Sequence, residues 1–220
     1  MGNYNNFANE YKVLTEELEN KTRKNSYTIL GNLKNKNMLD VGCGSGCDLK
    51  YYIDCGATVS GIDISKKEID IVKRELIGTF LVADMLTLPF KDNSFHITTS
   101  TYAIQAAENV KKVILEMIRV TKSGGDIFIL SKHPFRTLLE GYINDDKMNY
   151  FEKGDVTSYI FNREIKLTEP SHTLQEYFDT EILSKSNLVL FEEHCDFPAS
   201  EQIIDGVTYP TYMILKFKKN

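Results

Sequence analysis

No stretch of the 220 residues stays apolar for the roughly 20 positions that a membrane-spanning helix needs. The longest uncharged apolar runs, such as Ile127-Phe128-Ile129-Leu130 between Asp126 and Ser131, are the size of a strand. Met1 to Glu10 carries no basic start followed by an apolar stretch, so it does not read as a secretory signal. Asn6 stands where a myristoylation signal needs Ser or Thr. Cysteine is scarce: the four residues at 43, 47, 55 and 195 are too few and too irregular for a disulfide framework. They also lack the second matched pair that a zinc site requires, so no metal is expected. Positive charge is not in excess either. With 26 basic and 31 acidic residues the net charge is −5, which argues against a nucleic-acid partner. Internal repeats and low-complexity blocks are absent. These absences predict a soluble cytoplasmic protein with reduced thiols, touching neither membrane nor nucleic acid.

What is present is an ordinary globular composition, 42% hydrophobic and 26% charged, at a length that suits one domain. Apolar positions at Tyr11, Leu14, Leu18, Tyr27, Ile29 and Leu30 predict one or two short helices ending near Gly31, a cap over residues 1–35. From Met38 strands and helices alternate. Strands are predicted at 38–42, 57–62, 80–83, 95–100 and 126–130. Helices are predicted around 49–53, after Ser65 with Glu68 three residues on as a capping box, and from Glu108 to Val120. That alternation predicts an α/β fold, a mostly parallel doubly wound sheet with helices on both faces, over a core of residues 36–132. The rhythm breaks at 133–170, where aromatics and turn residues suggest a lid insertion without a βαβ unit. A helix at 174–183 and strands at 188–194 and 209–217 close a seven-stranded sheet.

The chemistry sits in Leu39-Asp40-Val41-Gly42-Cys43-Gly44-Ser45-Gly46, a strand running into three alternate glycines and then a helix. Glycine is needed where the backbone turns sharply or where a side chain would block a ligand lying on the chain. Asp63 follows the second strand, where a carboxylate can accept from both hydroxyls of a ribose, and Asp84 follows the third, placed for the exocyclic amine of a ring. A dinucleotide loop wants Gly-x-Gly-x-x-Gly facing a pyrophosphate. Here the third glycine comes one residue early, position 47 is Cys, and Asp40 would set a carboxylate near that anion. A cationic ligand suits the site better.

These residues resemble the class I S-adenosylmethionine-dependent methyltransferases. Met38–Gly46, Gly61-Ile62-Asp63-Ile64-Ser65, Val82-Ala83-Asp84-Met85, Leu88-Pro89-Phe90, Asn93-Ser94-Phe95 and Glu116–Gly125 match that family's order and spacing, across about residues 35–132. The later Ser131–Phe135, Asn149-Tyr150-Phe151 and His172–Tyr177 look like a bacterial small-molecule subgroup. The resemblance implies a Rossmann-like fold with S-adenosylmethionine as cofactor and S-adenosylhomocysteine as product. It also implies cofactor contacts at Asp40, Gly42, Cys43, Gly44, Gly46, Asp63, Ile64, Asp84, Met85, Ser100 and Tyr11. The sequence departs from the pattern at His96, where an Asp is usual, and at Ile104-Gln105, where a His often precedes an aromatic. Thr98–Thr101 stands in place of the Asn-Pro-Pro-Tyr signature of amino methylation on nucleobases or glutamine.

Methyl transfer is an in-line displacement, so positioning dominates, and a base is needed for a hydroxyl or protonated amine. His133, just past the fifth strand, is the first candidate base; capping of the strand end is the alternative. His172 is second, and His96 and His194 read as structural. Tyr102, Gln105, Phe135, Tyr150 and His172 are candidate acceptor contacts. With Tyr142, Phe151, Tyr159 and Phe161, the aromatics form either a cage for a flat or cationic acceptor or the small core of the lid. The leading expectation is methyl transfer to a small molecule. RNA or protein methylation, a nicotinamide-dependent oxidoreductase and a non-catalytic cofactor-binding protein are the competing readings.

Overall fold

Met38 to Val41 are buried on both faces, as a central parallel strand must be when helices cover both sides of its sheet. In the computed structural model, which describes residues 21–144, 148–160, 165–195 and 206–220, this is β1 (Asn37–Val41). It follows helix α1 (Lys21–Leu30). The chain continues through α2 (Cys47–Asp54), β2 (Thr58–Asp63), α3 (Lys66–Glu75), β3 (Thr79–Val82) and β4 (Phe95–Thr101). A single 3-10 turn, Ile104–Ala106, leads into α4 (Val110–Val120) and β5 (Thr121–Lys132). Local chemistry sets the helix starts. The Ser65 hydroxyl accepts the Glu68 amide at 3.3 Å ahead of α3, and the Asn109 side chain accepts the Lys112 amide at 3.0 Å ahead of α4.

The sheet order is β3-β2-β1-β4-β5-β9-β8, closed by β8 (Ser186–His194) and β9 (Tyr212–Lys219). The first five strands pair in parallel, and β9 runs antiparallel to both β5 and β8. Two cores sandwich the sheet. One joins Leu39, Val41 and Ile129 to Val113, Ile114 and Met117 of α4. The other joins Met38, Phe128 and Leu130 to Tyr27 of α1, Leu49 and Tyr52 of α2, and Ile69 and Val72 of α3. The strand order reverses between β1 and β4. A crevice therefore opens at the carboxyl ends of these strands, where such sheets hold ligands.

Two expectations change. Residues 133–170 carry regular structure: helix α5 (Pro134–Asn144), then an antiparallel hairpin of β6 (Asp155–Ile160) and β7 (Ile165–Pro170). Proline suits the first helical position, where its missing N–H costs nothing, so Pro134 starts this helix. The helix expected over 174–183 is two short ones, α6 (Leu174–Tyr177) and α7 (Thr180–Lys185). Asp179 divides them: its side chain accepts the Glu181 amide at 2.8 Å and caps the second.

The insertion meets the sheet at its carboxyl edge. β7 packs against the turn Ile104–Ala106 after β4. Lys132, at the end of β5, is buried and bonds Glu140 of α5 at 3.1 Å and Glu169 of β7 at 2.7 Å. Burial works against its charge, but Glu169 and Glu140 outweigh burial and hold its pKa above the usual lysine value.

Candidate functional site

The glycine loop is pinned at its start, because the amides of Gly42 and Cys43 both donate to the Ile62 carbonyl, at 2.8 and 2.9 Å. All three glycines are left-handed, with φ of 81°, 50° and 95° at Gly42, Gly44 and Gly46, but they answer different demands. A Cβ on Gly42 would lie 2.3 Å from that of Ala103, and one on Gly46 would lie 2.7 Å from Val72 Cγ2 and 2.8 Å from Leu76 Cδ1. These two let the loop pack against β4's exit and against α3. At Gly44 a Cβ would meet nothing nearer than Glu68 Oε2 at 3.9 Å, so this glycine borders open space. The Cys43 side chain turns inward against Gly61, which leaves its backbone to the crevice.

Carboxylates gather beside this loop. Asp63, the last residue of β2, accepts the Gly44 amide on Oδ2 at 3.0 Å and the Ser65 amide on Oδ1 at 2.8 Å. Burial raises its pKa against the pull of these backbone bonds. Asp40 is 1% exposed and receives the Thr99 hydroxyl at 2.9 Å. Burial first, then the charge of Asp48, raises its pKa to about 8. Asp48 opens α2 and is held by Arg23 and Tyr27, one helical turn apart on α1. The Arg23 guanidinium also stands 5.7 Å from the centroid of the Tyr102 ring. Tyr102 itself has φ 51°, a strained conformation for a bulky residue, held by its amide bond to Leu130 O at 2.7 Å. Arg23, Tyr27 and Asp48 went unread in the sequence; the i,i+4 pair on α1 ahead of an acid in the first turn of α2 is the signal that could have found them.

The remaining predicted residues divide. Asp84 is exposed after β3, with Oδ1 accepting the Leu86 amide at 2.8 Å. Ile64 after β2 is 43% exposed, an apolar surface at the crevice end of the sheet, and Met85 is half-buried near Gly42. Ser100 faces into the sheet and donates to Val41 O at 2.9 Å, so its hydroxyl serves strand pairing. Gln105 is buried, accepting from the Ser131 hydroxyl at 3.3 Å. Tyr11 and Phe161 lie outside the described residues.

His133, the first candidate base, makes the contacts of its alternative role, a cap at the strand end. Its Nδ1 accepts the Phe135 amide at 3.0 Å, which places the proton of the neutral ring on Nε2, facing Glu193 Oε1 at 2.9 Å. Neither nitrogen keeps an unengaged lone pair, and burial lowers the pKa. His172 is likewise engaged on both sides, with Nε2 against Gln105 O at 3.1 Å and Nδ1 against Glu176 at 3.3 Å. His194 stacks on Tyr212 in the closing strands. Among the described residues the aromatics of 133–170 do not converge on one cage. Phe151 is 84% exposed, Tyr142 is exposed, Phe135 meets Tyr209, and the Tyr150 hydroxyl accepts the Leu174 amide at 2.7 Å.

Residues 39–129 match the methyltransferase domain family. The chain is 30% identical over 150 residues to the demethylmenaquinone methyltransferase of Renibacterium salmoninarum, covering 64% of this chain and 63% of that protein. It is 38% identical over 117 residues to the ajmaline N-methyltransferase of Rauvolfia serpentina, covering 48% and 38%. The chain thus spans less than two thirds of the length of these curated relatives. A solved structure from Listeria monocytogenes, assigned as an S-adenosylmethionine-dependent methyltransferase, superposes with a TM-score of 0.71 at 19% identity, covering 88% of this chain and 94% of that one. At that identity the likeness is one of fold.

Proposed function

Residues 39–129 match the methyltransferase domain family, and we propose that the protein is a class I S-adenosylmethionine-dependent methyltransferase that methylates a small-molecule acceptor by in-line displacement. The observation that carries this reading is the acidic crevice: Asp40 and Asp63, both desolvated, beside a loop whose middle glycine borders open space. Asp63, joined by Asp40 once a cation draws off its proton, repels a pyrophosphate and attracts a cation. The residues present fit the group. Asp63 retains lone pairs that would serve the ribose hydroxyls, Asp40 would meet the cationic amino-acid end, and Ile64, Asp84 and Met85 would hold the ring.

When bound, S-adenosylmethionine supplies an electrophilic methyl on a sulfonium. The chain's part is to orient and to exclude water. Among the described residues each histidine ring is engaged by neighbours, so the reading assigns no imidazole base, and approximation carries the rate, worth up to about 7–11 kcal/mol. The insertion over the carboxyl edge of β4 and β5, anchored through Lys132, covers the acceptor and sets specificity. A small acceptor agrees with the quinone and alkaloid named for the relatives and with a net charge of −5. Four cysteines outside any disulfide suit a reducing cytoplasm.

Thermal unfolding with S-adenosylhomocysteine and with NAD tests the ligand class. At 100 times its dissociation constant a ligand adds about 2.7 kcal/mol, or about 5–11 °C for a chain of this size. A shift with NAD alone overturns the reading. Transfer of radiolabelled methyl to a panel of demethylated quinones, carboxylic acids and secondary amines tests the acceptor, and label appearing only in RNA or protein contradicts it.

A further inference from the structure

At the amino edge of the sheet, opposite the crevice, β5 leaves its ladder. Phe95 pairs with Thr121, but Ile97 pairs with Asp126, so residues 122–125 arch out beside His96. Gly125 sits at the foot of this arch because a Cβ there would fall 2.6 Å from His96 O. The arch, the end of α1 and β9 border a half-open cavity of about 430 Å³. Among the described residues Lys36, Lys122, Lys216 and Lys218 line it, against the single carboxylate of Asp126. That is a local surplus of positive charge in a chain whose net charge is −5.

The one acid is already shared. Asp126 pairs with Lys216 through Oδ2 and with Lys218 through Oδ1, both at 3.1 Å. Among the described residues no carboxylate pairs with Lys36 or Lys122. Lys122 instead points its Nζ at Nε2 of His96, 3.1 Å away. The other ring nitrogen, Nδ1, accepts the Asn37 amide at 2.9 Å. Burial, then the charges of Lys122 and Lys36, lower the His96 pKa, so the ring is neutral with its proton on Nε2. Two donors therefore face each other with no acceptor between them. An oxygen anion beside them would accept from both. Among the described residues no Phe or Tyr lines the cavity to stack on a base.

We propose that this cavity binds a small, multiply charged, non-aromatic oxyanion through Lys36, Lys122 and the Nε2–H of His96. The site is separate from the methyl-transfer crevice, and neither reading depends on the other. The test is isothermal titration with pyrophosphate and with citrate, with ionic strength held constant by sodium chloride. The expected result is saturable binding at one site, weakened at least about tenfold in Lys36→Gln/Lys122→Gln, the scale of losing hydrogen bonds to a charged group. A preference between the two probes assigns phosphate or carboxylate chemistry. Histidine-selective nitrogen NMR on the wild type gives an independent readout that needs no variant: the His96 Nε2 resonance should move along the titration while that of His194 stays. Binding of neither anion at millimolar concentration, equal binding by a folded double variant, or a stationary His96 resonance overturns the proposal.

Discussion

Alanine at Gly46 and alanine at Gly44 should fail in different ways, though both glycines belong to one loop. At Gly46 the new Cβ falls 2.7 and 2.8 Å from side-chain carbons of Val72 and Leu76, at φ 95°. Left-handed strain costs about 1–2 kcal/mol and overpacking about 1–3 kcal/mol, together about 2–5 kcal/mol. For a chain of this size each kcal/mol moves the midpoint by about 2–4 °C, so the fall should be about 4–20 °C. At Gly44 only the strain applies, at φ 50° with 3.9 Å of clearance, so stability should drop by about 1–2 kcal/mol. The order reverses for ligand. Measured by calorimetry where both variants are folded, Gly44→Ala should weaken S-adenosylhomocysteine binding more than Gly46→Ala. A Gly44 variant that is the less stable of the two, or one that binds as wild type while Gly46→Ala does not, would refute the division of roles.

Asp40, with its pKa raised to about 8 from 3.8, favours its protonated form in the free protein. Its contribution to stability is therefore fully present below the unfolded value and lost as pH rises through about 8. A cationic ligand favours the ionised form, so binding should release a proton and tighten between pH 6 and about 7.5. Calorimetry in two buffers of different ionisation enthalpy checks the release, and Asp40→Asn should abolish it. His133→Ala should cost about 1–2 kcal/mol, as a lost helix cap does, with turnover per folded molecule unchanged; a large fall in turnover at intact stability would restore the base role. Glu169→Gln strips one of two carboxylates from buried Lys132 and should destabilise by about 3 kcal/mol. Denaturant titration reads it, and a change below a few tenths would deny the anchor.

The half that carries the glycine loop was legible because its signals are local. Met38–Val41 reads as a buried strand by composition, Ser65 by its capping chemistry, and Val110 to Val120 by a broad apolar stripe. Asp63 was legible because a strand's end fixes where its last side chain points. The insertion was not. Its helix α5 is capped by an imidazole, and its hairpin is held through Lys132, Glu140 and Glu169, partners 8 and 37 residues apart that no window of sequence brings together. The same long range hid Arg23 and Tyr27, whose partner Asp48 lies 25 and 21 residues on. Glycine spacing marked the loop correctly but could not divide its labour. That depends on Ala103, Val72 and Leu76, which reach it only in the folded chain.

On the proposed reading the acidic crevice holds a sulfonium cofactor by its ribose and its charge. Isothermal titration of S-adenosylmethionine into the wild type and into Asp63→Ala tests it most directly. One site per chain is expected, with Asp63→Ala weaker by about 1.5–3 kcal/mol, the range for hydrogen bonds to a charged group. An unchanged dissociation constant in a folded Asp63→Ala protein, or no binding by the wild type, would contradict it.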